Sequence, residues 1–415
     1  LPAEEVLAQV PMLSAMQGLT GAQVLFESHM HSSERMTLAF LKTAVANGAR
    51  IANYLQVERL LSDGSKVVGV QVKDRLRSEE FQIHARLVVN SAGPYVQGIN
   101  ESVPGLRLHH RLTGFSRGVH LVTRKLESRY AVALTTQKKT EGFVTRGGRH
   151  FFIIPWRDCS LIGTTNVPLK EKLDNIRVTA TDIDDFLEDI NETLPSVQLT
   201  TSDVHYAFTG VYPIIARKIK PDTYQGTGEF QIIDHEIQDG IKGILTALGA
   251  KFTTARKVAQ QAVDQVVAKL NRADPGCHTA EIRLVEGNIP DIRKFTSLCL
   301  DKYSPLLPEH SIRHLVSNYG RKIEQLVEQG RAEQRLVQLT PERETLEIEV
   351  EYAVRHEMAH TLEDVIFRRT GLGTIGYPGE KAMMRCVQLM TEVLHWDDVE
   401  IQDQLAAVKA HYEYC

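Results

Sequence analysis

The chain has 415 residues, more than one hydrophobic core usually takes, so two or three domains are expected. Apolar residues make up 42% and charged residues 24%, an ordinary globular composition. A formal net charge of −4 with no basic stripe argues against nucleic acid as a partner.

The five cysteines, Cys159, Cys277, Cys299, Cys386 and Cys415, form no CxxC pair. That argues against a disulfide framework or a zinc ribbon and fits a reducing, cytoplasmic setting. No stretch approaches the roughly 18 uninterrupted apolar residues of a membrane-spanning helix, and no charged-then-apolar leader opens the chain. The first residue is Leu1 rather than Met, as in a piece of a longer protein.

From Glu34 to Asn47 the spacing of Met36, Phe40, Leu41, Ala44 and Val45 predicts a helix stopped by Gly48. "RIANYLQVERLL", "KVVGVQVKD" and "EFQIHA" alternate and predict an antiparallel meander, turning at Ser62–Ser65. "RLVVNSAGPYV" reads as a short strand buried on both faces in a parallel sheet, running into Ala92-Gly93-Pro94. Ligands of open α/β sheets bind beyond such strand ends.

Residues 106–215 change texture. "GVHLVT", "AVALTT", "RHFFIIPW" and "SLIGTTN" are short strands, the last two joined by a turn at Arg157-Asp158. Phe151, Phe152 and Trp156 read as core of this sheet. One helix near 181–192, capped by Thr181, packs Ile183, Phe186, Leu187 and Ile190. The pattern predicts an antiparallel sheet with a helix, inserted between two halves of another domain.

"FQIID" and "IKGILTAL" return to strand character and lead into Gly249-Ala250-Lys251-Phe252-Thr253-Thr254. A helix follows with Ala255, Val258, Ala259, Ala262, Val263, Val266 and Leu270 as one stripe. A strand, a small-residue turn and a helix N-terminus carrying a lysine make a place for an anion or an electron-rich carbonyl. The plainer alternative is a tight connection with a solvated lysine. From about residue 290 onward the chain is almost all helix-forming, with breaks expected at Gly320, Gly330, Pro341 and Gly371–Gly373.

"HEMAH", residues 356–360, matches HExxH, which on a helix puts two histidines on one face for zinc, with Glu380 as a third ligand. Val350, Val354, Met358, Leu362 and Val365 instead form a buried helical stripe, and that reading is preferred, with no metal expected. His109-His110, His120 and His205 show no ligand spacing and read as structural or surface residues. Arg368-Arg369 reads as a cap at a helix end.

Taken in order, "LVVNSAGPYV", "HFFIIPWRDCSLIGTTNVPL", "FTGVYPII", "LTALGAKFTTARKVAQQAVD" and "EYAVRHEMAHTLEDVIFRRTGLG" resemble the FAD-dependent glycerol-3-phosphate dehydrogenases over nearly the whole chain. The resemblance implies an α/β (α+β overall) protein. Its parts would be a partial FAD-binding, Rossmann-like domain, an inserted antiparallel β cap and a C-terminal all-α domain. Residues 1–105 would then form the FAD-binding domain without its N-terminal part, 106–215 the cap, 216–275 the closing segment and 285–415 the helical domain.

By the same resemblance, the turn Gly249, Ala250, Lys251, Phe252 and Thr253 lies against the flavin. Ala92 and Gly93 flank the cofactor, and the Val57 backbone meets the adenine. Lys251, near flavin and substrate, is implied to act in catalysis. The implied reaction passes hydride from a small hydroxy compound to FAD, with quinone or oxygen as electron acceptor. Implied too are attachment to the inner membrane surface without a span and compatibility with a homodimer.

Three departures stand out. Where the family has an arginine in GVRP, gripping the substrate phosphate, this chain has Tyr212, with Arg217, Lys218 and Lys220 nearby as substitutes. A second family arginine falls at Gly228 or a neighbour. The opening strand, the GxGxxG-type loop and the acidic residue after it are absent from the sequence. Weak FAD retention by this chain alone is the expectation from that. Two alternatives stay open: a flavin enzyme acting on another small hydroxy or amino acid, and a scaffold that has lost FAD.

Overall fold

The computed structural model describes residues 1–108, 112–127, 129–136, 150–169, 173, 176–215, 230–249 and 251–414. Arg217, Lys218, Lys220, Gly228, Ala250, His109 and His110 lie outside the described residues.

The chain opens with α1 (Ala3–Gln9) and a coil, then α2 (Ser33–Ala46), where Ser32 Oγ accepts the Arg35 N–H as N-cap. The α2 stripe does not behave as its spacing predicts. Phe40 and Val45 are each 45% exposed, while Arg35 and Leu38 are the buried positions. Arg35 turns inward because its guanidinium donates to Glu357 Oε2 at 2.6 Å and to the Asn318 carbonyl. A charged partner, rather than the apolar stripe, orients this helix.

β1 (Leu55–Asp63), β2 (Lys66–Asp74) and β3 (Glu80–His84) form the expected meander, with Gly64 at φ 57° in the first turn. β4 (Val88–Asn90) runs into a 3-10 turn at Gly93–Tyr95 and α3 (Val96–Asn100). It is parallel to its neighbour as expected, but Val89 is 39% exposed, so β4 is an edge of the described sheet and not buried on both faces.

The cap sheet holds β5 (Leu112–Thr123), β6 (Val132–Thr135), β7 (His150–Trp156), β8 (Cys159–Gly163), β9 (Val167–Pro168) and β10 (Val204–Ile215). Its order is β10-β5-β8-β7-β6, with β9 also on β5. The β7–β8 turn uses Arg157 and Asp158 at φ 48° and 60°.

α4 (Ala180–Thr193) covers one face, burying Ile183, Phe186, Leu187 and Ile190 against Val119, Leu121, Phe151, Ile153 and Ile162. Its cap is Thr179, not Thr181: Thr179 Oγ1 accepts the Asp182 N–H while Asp182 reaches back to the Thr179 N–H. Phe152 is 50% exposed, because strand alternation gives the buried place to Phe151.

β11 (Gln231–Asp234), α5 (His235–Asp239) and β12 (Ile244–Leu248) follow. β12 is buried along its whole length, antiparallel to β11 and parallel to β4, giving a sheet ordered β11-β12-β4. After the 3-10 turn Phe252–Thr254 comes α6 (Ala255–Lys269). The two small-residue turns thus leave the same end of adjacent parallel strands.

The rest is helical: α7 (Ile292–Tyr303), α8 (Glu309–Tyr319), α9 (Ile323–Ala332), α10 (Glu347–His356), α11 (Glu380–Leu394) and α12 (Asp398–Lys409). Two apolar clusters hold them, one around Ile312, Leu326 and Ile348, the other around Val350, Ile366 and Met383. Gly330 does not break a helix. It lies within α9, where an added Cβ would come 2.6 Å from Leu336 Cδ2, so close packing explains the glycine.

The stripe expected through HEMAH is also interrupted. α10 ends at His356, and Met358 has φ 54°. The Asp364 carboxylate accepts the His360 and Thr361 N–H groups, and Asn53 donates to the Met358 carbonyl, so the backbone finds non-helical partners.

Candidate functional site

A cavity of about 580 Å³ opens where the β4 and β12 turns meet α6. Val89, Ser91 and Gly93 come from the first turn, and Leu248, Gly249, Lys251 and Phe252 from the second. The α6 stripe supplies the longest wall, through Val258, Ala259, Ala262, Val263 and Val266, and Pro213 of β10 closes one side. Val263 is 55% exposed, so the stripe read from helical spacing faces this opening and not a closed core.

Both turns leave their backbone accessible. A Cβ on Gly93, which has φ +55°, would meet nothing within 4 Å. One on Gly249 would meet Phe230 Cβ no closer than 3.7 Å. Lys251 is exposed and has no ion-pair partner among the described residues. It precedes the 3-10 turn Phe252–Thr254 that leads into the 15-residue α6, whose dipole adds to its positive potential. An apolar wall, a bare backbone edge and one concentrated positive end fit a flat ring with an electron-rich rim. The residues present therefore fit the isoalloxazine part of FAD.

Gly93, Gly249, Lys251 and Phe252 are brought together. Ala92 adjoins the cavity, but its N–H is already donated to Asn90 Oδ1 at 3.2 Å. Thr253 is exposed and does not line the cavity. Val57 is half-buried in β1 and does not line it either, sitting beside the bulge between Val57 and Arg59. Tyr212 alternates with Pro213 along β10 and so turns away from Pro213's side. Its hydroxyl donates to Asn166 Oδ1 at 2.7 Å.

Two residues escape a linear reading. Pro213 reaches the cavity from a strand thirty-five positions before the Leu248 end of β12, by topology alone. His120 shares its sheet face with Ser116 and Tyr212, stacks on Phe208 at 5.1 Å and 4°, and has its pKa pushed down to about 4 by burial. The imidazole is thus neutral near pH 7. Only the alternation of "GVHLVT" hints at its face.

For HEMAH, the helix that would align both histidines ends at the first of them. Glu357, the would-be base, is held by Arg35 at 2.6 Å and Lys42 at 2.9 Å, and Glu380 pairs with Lys409 at 2.8 Å. Arg368 pairs with Asp364 and Arg369 donates to the Glu357 carbonyl, so this pair ties down the segment after α10 rather than simply capping a helix.

Parallel strands ending in two open turns beside an antiparallel cap define a flavin-type oxidoreductase architecture. The chain belongs to the FAD dependent oxidoreductase family, whose model matches residues 1–264. Residues 277–401 match the C-terminal domain of alpha-glycerophosphate oxidase.

The chain is 29% identical to a glycerol-3-phosphate dehydrogenase of Synechocystis over 96% of its length and 71% of the relative's. It is 28% identical to the aerobic glycerol-3-phosphate dehydrogenase of Bacillus subtilis, covering 96% of this chain and 70% of that one. Against the human mitochondrial glycerol-3-phosphate dehydrogenase identity is 28% over the whole chain, which spans only 56% of that protein. The crystal structure of the Bacillus halodurans glycerol-3-phosphate dehydrogenase complexed with FAD superposes with a TM-score of 0.82 at 28% identity. That match covers 99% of this chain and 78% of the other.

Proposed function

We propose that the chain carries out the oxidation of sn-glycerol 3-phosphate, or of a related small hydroxy compound, as an FAD-dependent dehydrogenase. The observation that carries this is the cavity between the two open turns, with Lys251 as an exposed cation just ahead of the 3-10 turn into α6. When bound, FAD supplies the two-electron acceptor for the alcohol carbon. Gly93 and Gly249 let the backbone approach the ring, and Val258, Ala259 and Val263 exclude water from its face. Lys251 and the α6 N-terminus stabilise negative charge at its rim.

On this reading the Val57 backbone meets the adenine and Lys251 faces the substrate. Residues 1–105 and 216–275 form the FAD-binding domain around the cap at 106–215, followed by the helical domain at 285–415. Electrons leave to a quinone or oxygen. Among the described residues no helix is long and apolar enough to cross a membrane, which suits surface attachment.

The test is anaerobic titration of the holoenzyme with sn-glycerol 3-phosphate, following the oxidised-flavin absorbance. Bleaching with formation of the ketone is expected. A flavin that stays oxidised with this and every other small alcohol offered would overturn the proposal.

A further inference from the structure

A second polar feature lies directly beneath the two turns, and nothing in the function above uses it. Asn90 ends β4, and its side chain brackets the turn that follows. Oδ1 accepts the Ala92 N–H at 3.2 Å and Nδ2 donates to the Val96 carbonyl at 3.0 Å. The same Nδ2 donates to Asn100 Oδ1 at 2.8 Å. Asn100 Nδ2 then donates to Thr246 Oγ1 at 3.0 Å, and Thr246 lies 2.9 Å from His235 Nε2. His235 Nδ1 is 2.6 Å from Asp239 Oδ2.

The direction of the chain is fixed at one end. A carboxylate only accepts, so His235 Nδ1 carries a proton toward Asp239. His235 Nε2 and the Thr246 hydroxyl share the next bond, and the Thr246 oxygen takes the Asn100 amide. The bonds run without a break from Asn90 to Asp239.

These groups sit in the core. Asn90 is 5% exposed, Asn100 1%, and Thr246 and His235 0%. Asp239's side chain is 2% exposed. Thr246 is the middle residue of a strand buried at all five positions, paired in register with Asn90 on β4 and three residues before Gly249. Apolar side chains would fill this space more cheaply, since each buried polar group costs free energy unless fully satisfied. What apolar residues could not do is tie the first turn, by directional bonds, to the strand that carries the second.

We propose that Asn90, Asn100, Thr246, His235 and Asp239 form a positioning relay that ties the Ala92–Gly93 turn to β12, the strand that delivers Gly249 and Lys251 to the flavin edge. The proposal rests on the reading of that cavity as the flavin site. None of the five touches the reacting atoms. They act through the backbone of Ala92 and the strand that delivers Lys251, with His235 and Asp239 anchoring the far end at α5.

The test compares Thr246→Val and Thr246→Ser with Thr370→Val, which removes a comparably buried hydroxyl in the C-terminal helical part, bonded to the Val365 carbonyl at 2.7 Å and the Leu372 N–H at 3.2 Å. All are assayed for Tm, FAD dissociation constant and flavin reduction potential in the holoenzyme. Thr246→Val is expected to weaken FAD binding by about tenfold, one lost buried bond, and to shift the potential. Thr246→Ser should restore both, and Thr370→Val should lower Tm while moving neither. If Thr246→Val lowers Tm with FAD affinity and potential unchanged, the relay is only a core element and the proposal falls. A full-length wild-type protein, with its GxGxxG-type loop in place, that takes up no FAD would overturn the flavin reading itself and this proposal with it.

Discussion

At the scale of single residues, Lys251 is the sharpest case. An exposed lysine normally contributes little to stability, and its removal should change folding by no more than about 0.5 kcal/mol. Placed just ahead of the 3-10 turn into α6, with no described counter-charge, its potential falls on whatever occupies the cavity. Lys251→Ala is therefore expected to lower the flavin reduction potential and slow reduction by substrate by about 10²–10³, the scale of one preorganised electrostatic donor. Stopped-flow reduction with normal FAD content and an unchanged rate would make the turn a mere connection. The sequence made this residue visible because strand, turn and helix are contiguous. Pro213 and the relay beneath the turns were not visible, because their partners lie on separate elements and meet only through the sheet order β11-β12-β4.

At the scale of elements, legibility followed periodicity. α4 showed its buried stripe, the meander its alternation and α6 its wall, since each pattern reports a face. α2 misled because its strongest partner is a charge. Arg35 and Lys42 on α2 meet Glu286 and Glu357 in a buried cluster, with contacts of 2.6 Å and 2.9 Å to Glu357 and 2.6 Å between Lys42 and Glu286. Arg35 also lies 4.3 Å from the Tyr319 ring centroid. No spacing rule foretells an ion pair between residues 35 and 357. Arg35→Met would leave Glu357, whose side chain is fully buried, short of its closest cation and free the Asn318 carbonyl. A loss of about 3–5 kcal/mol in denaturant unfolding is expected, the cost of removing one partner from a buried pair. A loss below about 1 kcal/mol would show that the cluster does not hold α2 in place.

At the scale of the whole molecule, the protonation pattern sets how the fold responds to acid. Burial pushes the His120 pKa down to about 4, against 6.5 for a free imidazole. The unfolded chain then binds a proton between those values that the folded one refuses, so stability is full above about pH 6.5 and falls as the pH drops toward 4. His120 keeps some solvent contact, which makes its share about 2 kcal/mol rather than the full linkage. Glu357 acts at lower pH in the same direction. Burial pushes its pKa up, but Arg35 and Lys42 outweigh that and hold it below the usual carboxylate value. Its stabilisation is present above the unfolded carboxylate pKa and is lost as the pH falls through the lower, folded one. Two stages of acid destabilisation are therefore expected, an imidazole stage and then a carboxylate stage. His120→Gln removes the titrating ring from the Phe208 stack, where no charged side chain is among its described ring contacts. Unfolding free energies measured at pH 7, 5.5 and 4.5 should fall less steeply in His120→Gln than in the wild type, with the carboxylate stage retained. Equal slopes in the two proteins would mean that His120 is protonated in the folded state and that the neutral face assigned to the cap is wrong.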